Sequence, residues 1–331
     1  MIMIQTTLTE TERIQRMQFP TGKIPLIIDT DAKNETDDQF AIAWALQSAE
    51  RFSVEAIYAA PFSYDCIKPG IPDWNTHPVL SRDWTPEKGM LASFDEIQKI
   101  YSLLHLDAHG KVFRGSDRYL TQSGKPVESG AVHDLIDRAR KSDRPLYIAA
   151  IAALTNIASA ILLAPDILDK IVVVWLGGEL PSAHHGKEFN MMQDVKASQL
   201  LFDCGVPLIW IPCRGVASSL TLTRSETKAR LAGRNPICDY LAQIILDMMQ
   251  TDEQWENKPA DEENSRIIWD IATIAALKNP DYVTSELISA PILQNDLTLT
   301  ESSGRHMIRM VTSCDRNAIF EDMYRTLLSA I

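Results

Sequence analysis

Residues 29–38, DTDAKNETDD, set four aspartates and one glutamate within ten positions. They directly follow an apolar run, IPLII, at 24–28. Carboxylates this close raise one another's pKa unless positive charge joins them. A hard divalent cation would relieve the repulsion. Oxygen donors without His or Cys suit Ca²⁺ or Mg²⁺ rather than zinc. A second reading needs no metal. Asp37 and Asp38 precede a helical pattern, and carboxylates there cap N–H groups and match the helix dipole. The metal reading requires further ligands from distant parts of the chain.

The elements that would hold this cluster are legible as pattern. Apolar runs recur at 24–28, 54–59, 145–151, 171–176 and 206–211. Continuous runs of this kind suit parallel strands buried on both faces. Helical patterns lie between them, at 39–49, 93–104, 130–140, 154–163 and 196–204. The alternation predicts an α/β fold with an open, mostly parallel sheet flanked by helices. The C-terminal part is mainly helical, at 225–231, 237–250 and 269–278, with a late strand at 306–313 and a last helix at 317–329. Ligands of such sheets bind beyond the carboxyl ends of the strands. That rim is where Asp29, Asp31, Asp37 and Asp38 belong. Two stretches read as long loops, 61–88 and the acidic 250–265. One continuous domain over 1–331 is expected, with 1–22 as an N-terminal extension.

Hydrophobic residues make up 45% and charged residues 23% of the 331, the balance of an ordinary globular protein. No segment approaches the ~20 apolar residues of a membrane helix. The opening MIMIQTTLTETERIQRMQ lacks the basic-then-apolar layout of a secretory signal, so a cytoplasmic location is expected. The net charge of −12 argues against nucleic acid or anionic membrane as partner, because phosphates call for Lys and Arg. Cys66, Cys204, Cys213, Cys238 and Cys314 form no CxxC pair and read as reduced thiols. No GxSxG, P-loop, GxGxxG or HExxH pattern supports other common chemistries.

Four segments, in order, resemble the nucleoside hydrolases of the inosine-uridine type. The first strand of that family ends in DxDxxxDD. Here Asp29-Thr30-Asp31 and Asp37-Asp38 stand five residues apart rather than three. Residues 153–158, ALTNIA, resemble the LTN segment of the family. Leu176-Gly177-Gly178, then Glu188-Phe189-Asn190 and Asp194, resemble its GG…EFN…D block. Trp269-Asp270 before an apolar helix resembles its late aspartate segment. The likeness runs from residue 24 to residue 329, and the lengthened loop resembles that of a subgroup.

The resemblance implies hydrolysis of the N-glycosidic bond of a ribonucleoside to free base and ribose. It implies a Ca²⁺ held by Asp31, Asp38, Asp270 and the main-chain carbonyl of Ile151, with water and two ribose hydroxyls as further ligands. Asp31 would also be the general base toward that water. Asp37 would bind a ribose hydroxyl, Asn190 the secondary hydroxyls and Glu188 the 5′-hydroxyl. Asp29 would brace the ligands from behind. Carboxylates nearby would steady the positive charge that develops on the ribose. Trp269 stands where some members place a His as general acid. It resembles the purine-specific branch, in which a Trp stacks on the base and aids its departure; core packing is the other reading. Members are commonly dimers or tetramers, which implies a homo-oligomer.

The pattern also departs from the family. An Asn that usually follows the second strand has no counterpart in residues 59–63, AAPFS. Asn34, which arrives with Glu35 in the longer loop, is its expected replacement at the ribose. His184 and His185 are candidate proton donors or plain surface. Tyr64, Trp74 and Trp84 are candidates to cover the base or to pack their own loop. Two rival functions stand beside hydrolysis. A phosphatase of the haloacid dehalogenase type also ends its first strand in DxD, but Lys33 stands where it wants Thr or Val. The other rival is a catalytically weak or inactive ribose- or nucleoside-binding protein on the same scaffold.

Overall fold

The computed structural model describes residues 4–329, with the side chain of Trp74 outside that description. Six strands come first: β1 (Ile24–Thr30), β2 (Phe52–Ala59), β3 (Val112–Arg114), β4 (Leu146–Ile151), β5 (Ile171–Leu176) and β6 (Leu208–Ile211). A small hairpin joins β7 (Thr221–Thr223) to β8 (Ser265–Ile267). Then come β9 (Val283–Ser289), a second hairpin of β10 (Ile292–Leu293) with β11 (Leu299–Thr300), and β12 (Met307–Cys314). The main sheet has eight strands in the order β3-β2-β1-β4-β5-β6-β12-β9. All neighbours run parallel except β9, which is antiparallel to β12. This is the expected α/β architecture.

The helices are α1 (Glu10–Arg16), α2 (Asp38–Gln47), α3 (Pro86–Leu103), α4 (Leu120–Ser123), α5 (Gly130–Lys141) and α6 (Thr155–Leu163). After them come α7 (Phe189–Gln193), α8 (Val195–Asp203), α9 (Arg224–Arg230), α10 (Pro236–Trp255), α11 (Ile271–Lys278) and α12 (Arg316–Leu328). Side chains alternate across the sheet. Leu26 and Ile28 of β1 enter one apolar core, and Ile27 enters the other. Both faces are therefore buried, which is why the central strands read as unbroken apolar runs. Helices α2, from Asp38 to Ala45, and α11, from Ile271 to Leu277, are buried almost throughout. Each begins at an aspartate, Asp38 at the start of α2 and Asp270 at the cap of α11. Among the described residues no helix is long and apolar enough to cross a membrane, and all five cysteines are free.

Several boundaries differ from the sequence expectation. The segment 61–88 ends earlier, because Thr85 caps Lys88 N and Pro86 opens α3. The acidic stretch 250–265 is not all loop. Its first residues extend α10 to Trp255, and Ser265 begins β8. Glu, Asp and Gln are tolerated on an exposed helical face. The run at 206–211 pairs only from Leu208, since Pro207 has no N–H for a ladder. The helix expected from 269 begins at Ile271. Within the expected extension, residues 10–16 form α1, and Thr9 and Glu12 close a capping box at its start. The C-terminal part is helical as expected and its late strand is β12, but it also gives an unexpected edge strand, β9, to the main sheet.

Candidate functional site

The strand order reverses between β1 and β4: β1 leads outward to β2 and β3, β4 to β5 and β6. A crevice opens at the carboxyl ends of strands where an open sheet reverses in this way. Thr30 and Ile151 pair across it, the last residues of their strands. A cavity of about 280 Å³ lies there. Asp31, Asn34, Asp37 and Asp38 reach it from the loop after β1, and Ile151 from the end of β4. Glu188 and Asn190 reach it from the start of α7, Trp269 and Asp270 from the start of α11.

Asp37, Asp38 and Asp270 each bring a carboxylate oxygen to within 4.8 Å of the others, and all three are buried. The expected trio was Asp31, Asp38 and Asp270. The structure brings Asp37 into the tight group and sets Asp31 beside it. Asp38 accepts a hydrogen bond from Thr30 Oγ1. The backbone N–H of Asp270 donates to Asp37 Oδ2 at 3.4 Å. Asp37 is the N-cap residue of α2, yet its side chain makes no cap hydrogen bond. The capping reading of this aspartate therefore finds no partner.

Burial pushes Asp38 up to about 7. Burial first, and neighbouring carboxylates second, push Asp31, Asp37 and Asp270 well above the usual carboxylate range. An oxygen-only donor set with this much uncompensated negative charge fits a hard divalent cation. The N-termini of α2 and α11 add partial positive charge at the same point.

Asp29 stays behind the cavity wall. It is fully buried, and its Oδ1 accepts from Asn156 Nδ2 at 2.8 Å. Burial raises it to about 7, and the Asn156 contact works the other way. Asn156, from the LTN segment, is itself pinned through Oδ1 by Ser116 N at 2.8 Å and Ser116 Oγ at 2.9 Å.

Glu188 caps α7. Its carboxylate accepts from Gly178 N at 2.6 Å, Asn190 N at 2.9 Å and Met191 N at 3.1 Å. Gly178 sits at φ +70°, where a side chain is strained, so the GG motif is a backbone requirement for that contact. Asn190 spends its Nδ2 on the Leu176 carbonyl at 3.1 Å and lines the cavity. Trp269 is half-buried. It packs on the core and also faces the cavity. Asn34 is buried on the wall, and its carbonyl accepts from Tyr64 OH at 2.8 Å.

Tyr64 and Trp84 of the long second loop do not line the cavity, and the Trp74 side chain lies outside the described residues. Tyr64 packs on Phe189, a wall residue, with ring centroids 5.8 Å apart, and Trp84 packs on Phe62 at 4.9 Å. They form a layer behind the wall. His184 is exposed, and His185 bridges to Thr298; neither reaches the cavity.

A family model described as inosine-uridine preferring nucleoside hydrolase matches residues 86–321. The chain belongs to this family. The matched span starts after the aspartate loop, so residues 29–38 lie outside it. The probable uridine nucleosidase 2 of Arabidopsis thaliana is 25% identical to this nucleoside hydrolase family member over 41% of the chain, and the match spans 44% of the plant protein. The pyrimidine-specific ribonucleoside hydrolase RihA of Enterobacter sp. (strain 638) is 24% identical over 79% of this chain and 81% of its own. Among solved structures, a purine-preferring ribonucleoside hydrolase from Gardnerella vaginalis has a TM-score of 0.68, covering 92% of this chain and 98% of that one. At 21% identity that likeness speaks for the fold.

Among the residues the sequence reading does not single out are two that neighbour residues of the cavity wall, Gln193 beside Asp31 and Arg266 beside Glu35. Gln193 follows Asn190 by three positions in α7, a spacing that puts both on one helical face. That spacing is the one signal that could have found it. Arg266 pairs with Glu35 at 2.9 Å from the far side of the chain, and no local pattern announces it.

Proposed function

We propose that the chain hydrolyses the N-glycosidic bond of a ribonucleoside, giving free base and ribose. One observation carries this reading: the all-oxygen group Asp37, Asp38 and Asp270 shares a cavity with Asp31, Asn190 and Trp269. Asp38, Asp270, Asp37 and Asp31, with the Ile151 carbonyl, would hold a Ca²⁺. When bound, such an ion acidifies and aims a water molecule. Asp31 is the base that takes the proton of the attacking water. Asp37, Asn34 and Asn190 bind ribose hydroxyls, and Glu188 the 5′-hydroxyl. Asp29 supports Asp31 from behind. The surrounding carboxylates stabilise the charge of an oxocarbenium-like transition state. Trp269 stacks on the base, and its broad ring favours a purine.

The test is ribose release from a panel of purine and pyrimidine ribonucleosides with Ca²⁺ present. Asp31→Asn should lower release by about 10²–10⁴-fold, the worth of a general base. Tight ribose binding without release from any nucleoside would instead make the chain a binding protein.

A further inference from the structure

We propose that Gln193 is the positioning residue of Asp31. Its amide N–H faces Oδ2 of that carboxylate and sets the direction in which Asp31 accepts a proton. The proposal rests on the reading of Asp31 as the base.

The geometry begins with the other end of the amide. Gln193 closes α7 and is 6% exposed. Its Oε1 accepts two hydrogen bonds, from Ser63 N at 3.0 Å and from Tyr119 OH at 2.7 Å. Two donors on one oxygen fix which way the amide is turned. Nε2 then points away from Ser63 and Tyr119, buried and without a partner among the described residues. Asp31 is 1% exposed, and its Oδ2 is likewise buried and unpartnered. One group is a pure donor and the other a pure acceptor. The Gln193 side chain lies near enough to the Asp31 carboxylate to work against the rise that burial causes, although the two make no hydrogen bond of ordinary geometry. Two complementary buried groups side by side each cost free energy unless they serve each other or a shared hydroxyl.

The location adds a second argument. Ser63 ends the stretch 59–63, which lacks an Asn after the second strand. In this chain the backbone N–H of that stretch grips an amide carried by α7 instead. Asp31 stands outside the tight Asp37–Asp38–Asp270 group, and an ion held through one of its oxygens would leave the other for a protein donor to orient.

Three variants decide the matter: Gln193→Ala, Gln193→Glu and Tyr119→Phe. Gln193→Ala should lower kcat about 10- to 100-fold, the worth of one hydrogen bond to a charged group, with KM changed less than about threefold. Gln193→Glu should do at least as much harm, and Tyr119→Phe, which frees one anchor of the amide, less. A purely structural Gln193 would leave kcat at the wild-type value, which overturns the proposal. A second measurement needs no turnover. Urea midpoints of Asp31→Ala, Gln193→Ala and the double variant should be non-additive, because the residues share one contact. Additive midpoints also overturn the pairing. Should the wild type release no ribose, the hydrolase reading fails by itself, and the unfolding cycle still judges the contact.

Discussion

Arg266 donates to Glu35 Oε2 at 2.9 Å and so joins residues 231 positions apart. It also bonds Asp252, near the end of α10. Glu35 belongs to the part of the aspartate loop that exceeds the family spacing. The loop is therefore tied from outside, by a guanidinium on the β7–β8 hairpin, as well as by its own turn, in which Asn34 N donates to the Asp31 carbonyl at 2.7 Å. Lys33 in the same loop reaches Glu96 of α3 at 3.1 Å and adds a second tie. Arg266→Ala should loosen the loop that carries Asp31 and Asp37. Ribose release should fall about 10- to 100-fold in kcat/KM, since small misplacements of catalytic groups cost that much. Arg266→Lys should recover only part, because it keeps the charge and loses the fork. Steady-state kinetics on both variants checks this.

Asp38 and Asp270 come from the starts of two buried helices, and their charges are offset poorly by the protein alone. Added Ca²⁺ should stabilise the wild type by about 2.7 kcal/mol at 100 times its Kd. Chelation should remove the gain. Asp38→Asn and Asp270→Asn should each weaken Ca²⁺ binding more than Asp29→Asn, for which about 10- to 100-fold is expected of a supporting group. Calorimetric titration with Ca²⁺, paired with thermal melts, measures both. A wild type that takes up no divalent cation would count against the oxygen group as a metal site.

Asn156 is the bridge between Ser116 and Asp29. Asn156→Ala leaves the fully buried Asp29 without its amide partner. The loss should be about 1–3 kcal/mol of stability, the cost of an unsatisfied buried polar group. Urea unfolding reads it directly. Activity should fall as well, because Asp29 lies two residues before Asp31 at the end of β1.

His306 provides a pH effect far from the aspartates. Burial, and the charges of Arg13 and Arg305, lower it to about 4 from an ordinary 6.5. The folded state thus holds this ring neutral over a range where the unfolded chain would protonate it. Its contribution is present above about 6.5 and is lost as pH falls toward 4. Tm should therefore drop between pH 7 and pH 4.5, and His306→Gln should show a shallower drop. Parallel melts of the two proteins at those pH values settle the sign.

The central strands were legible because burial on both faces leaves a local trace, an unbroken apolar run. The edge strand β9 left none. Its sequence, VTSELIS, mixes polar and apolar residues, as a half-exposed antiparallel edge requires. The start of α10 was readable from periodicity, and its acidic end was not, because charge resembles a loop when the exposed face of a helix carries it. The sequence likewise pointed to the right family and to half of the residues that line the cavity. Asp31, Asn34, Asp37, Asp38, Ile151, Glu188, Asn190, Trp269 and Asp270 all line it.

By itself the sequence determined the strand–helix alternation, the acidic loop at the end of the first strand and the later segments that complete its site. Those are local properties of composition and spacing. Only the tertiary structure decided which carboxylates converge. Asp37 joins Asp38 and Asp270 while Asp31 stands beside Gln193, and Arg266 reaches across to Glu35. Such choices depend on ångström distances between elements far apart in the chain. They are set where the strand order reverses between β1 and β4 and where two buried helices start.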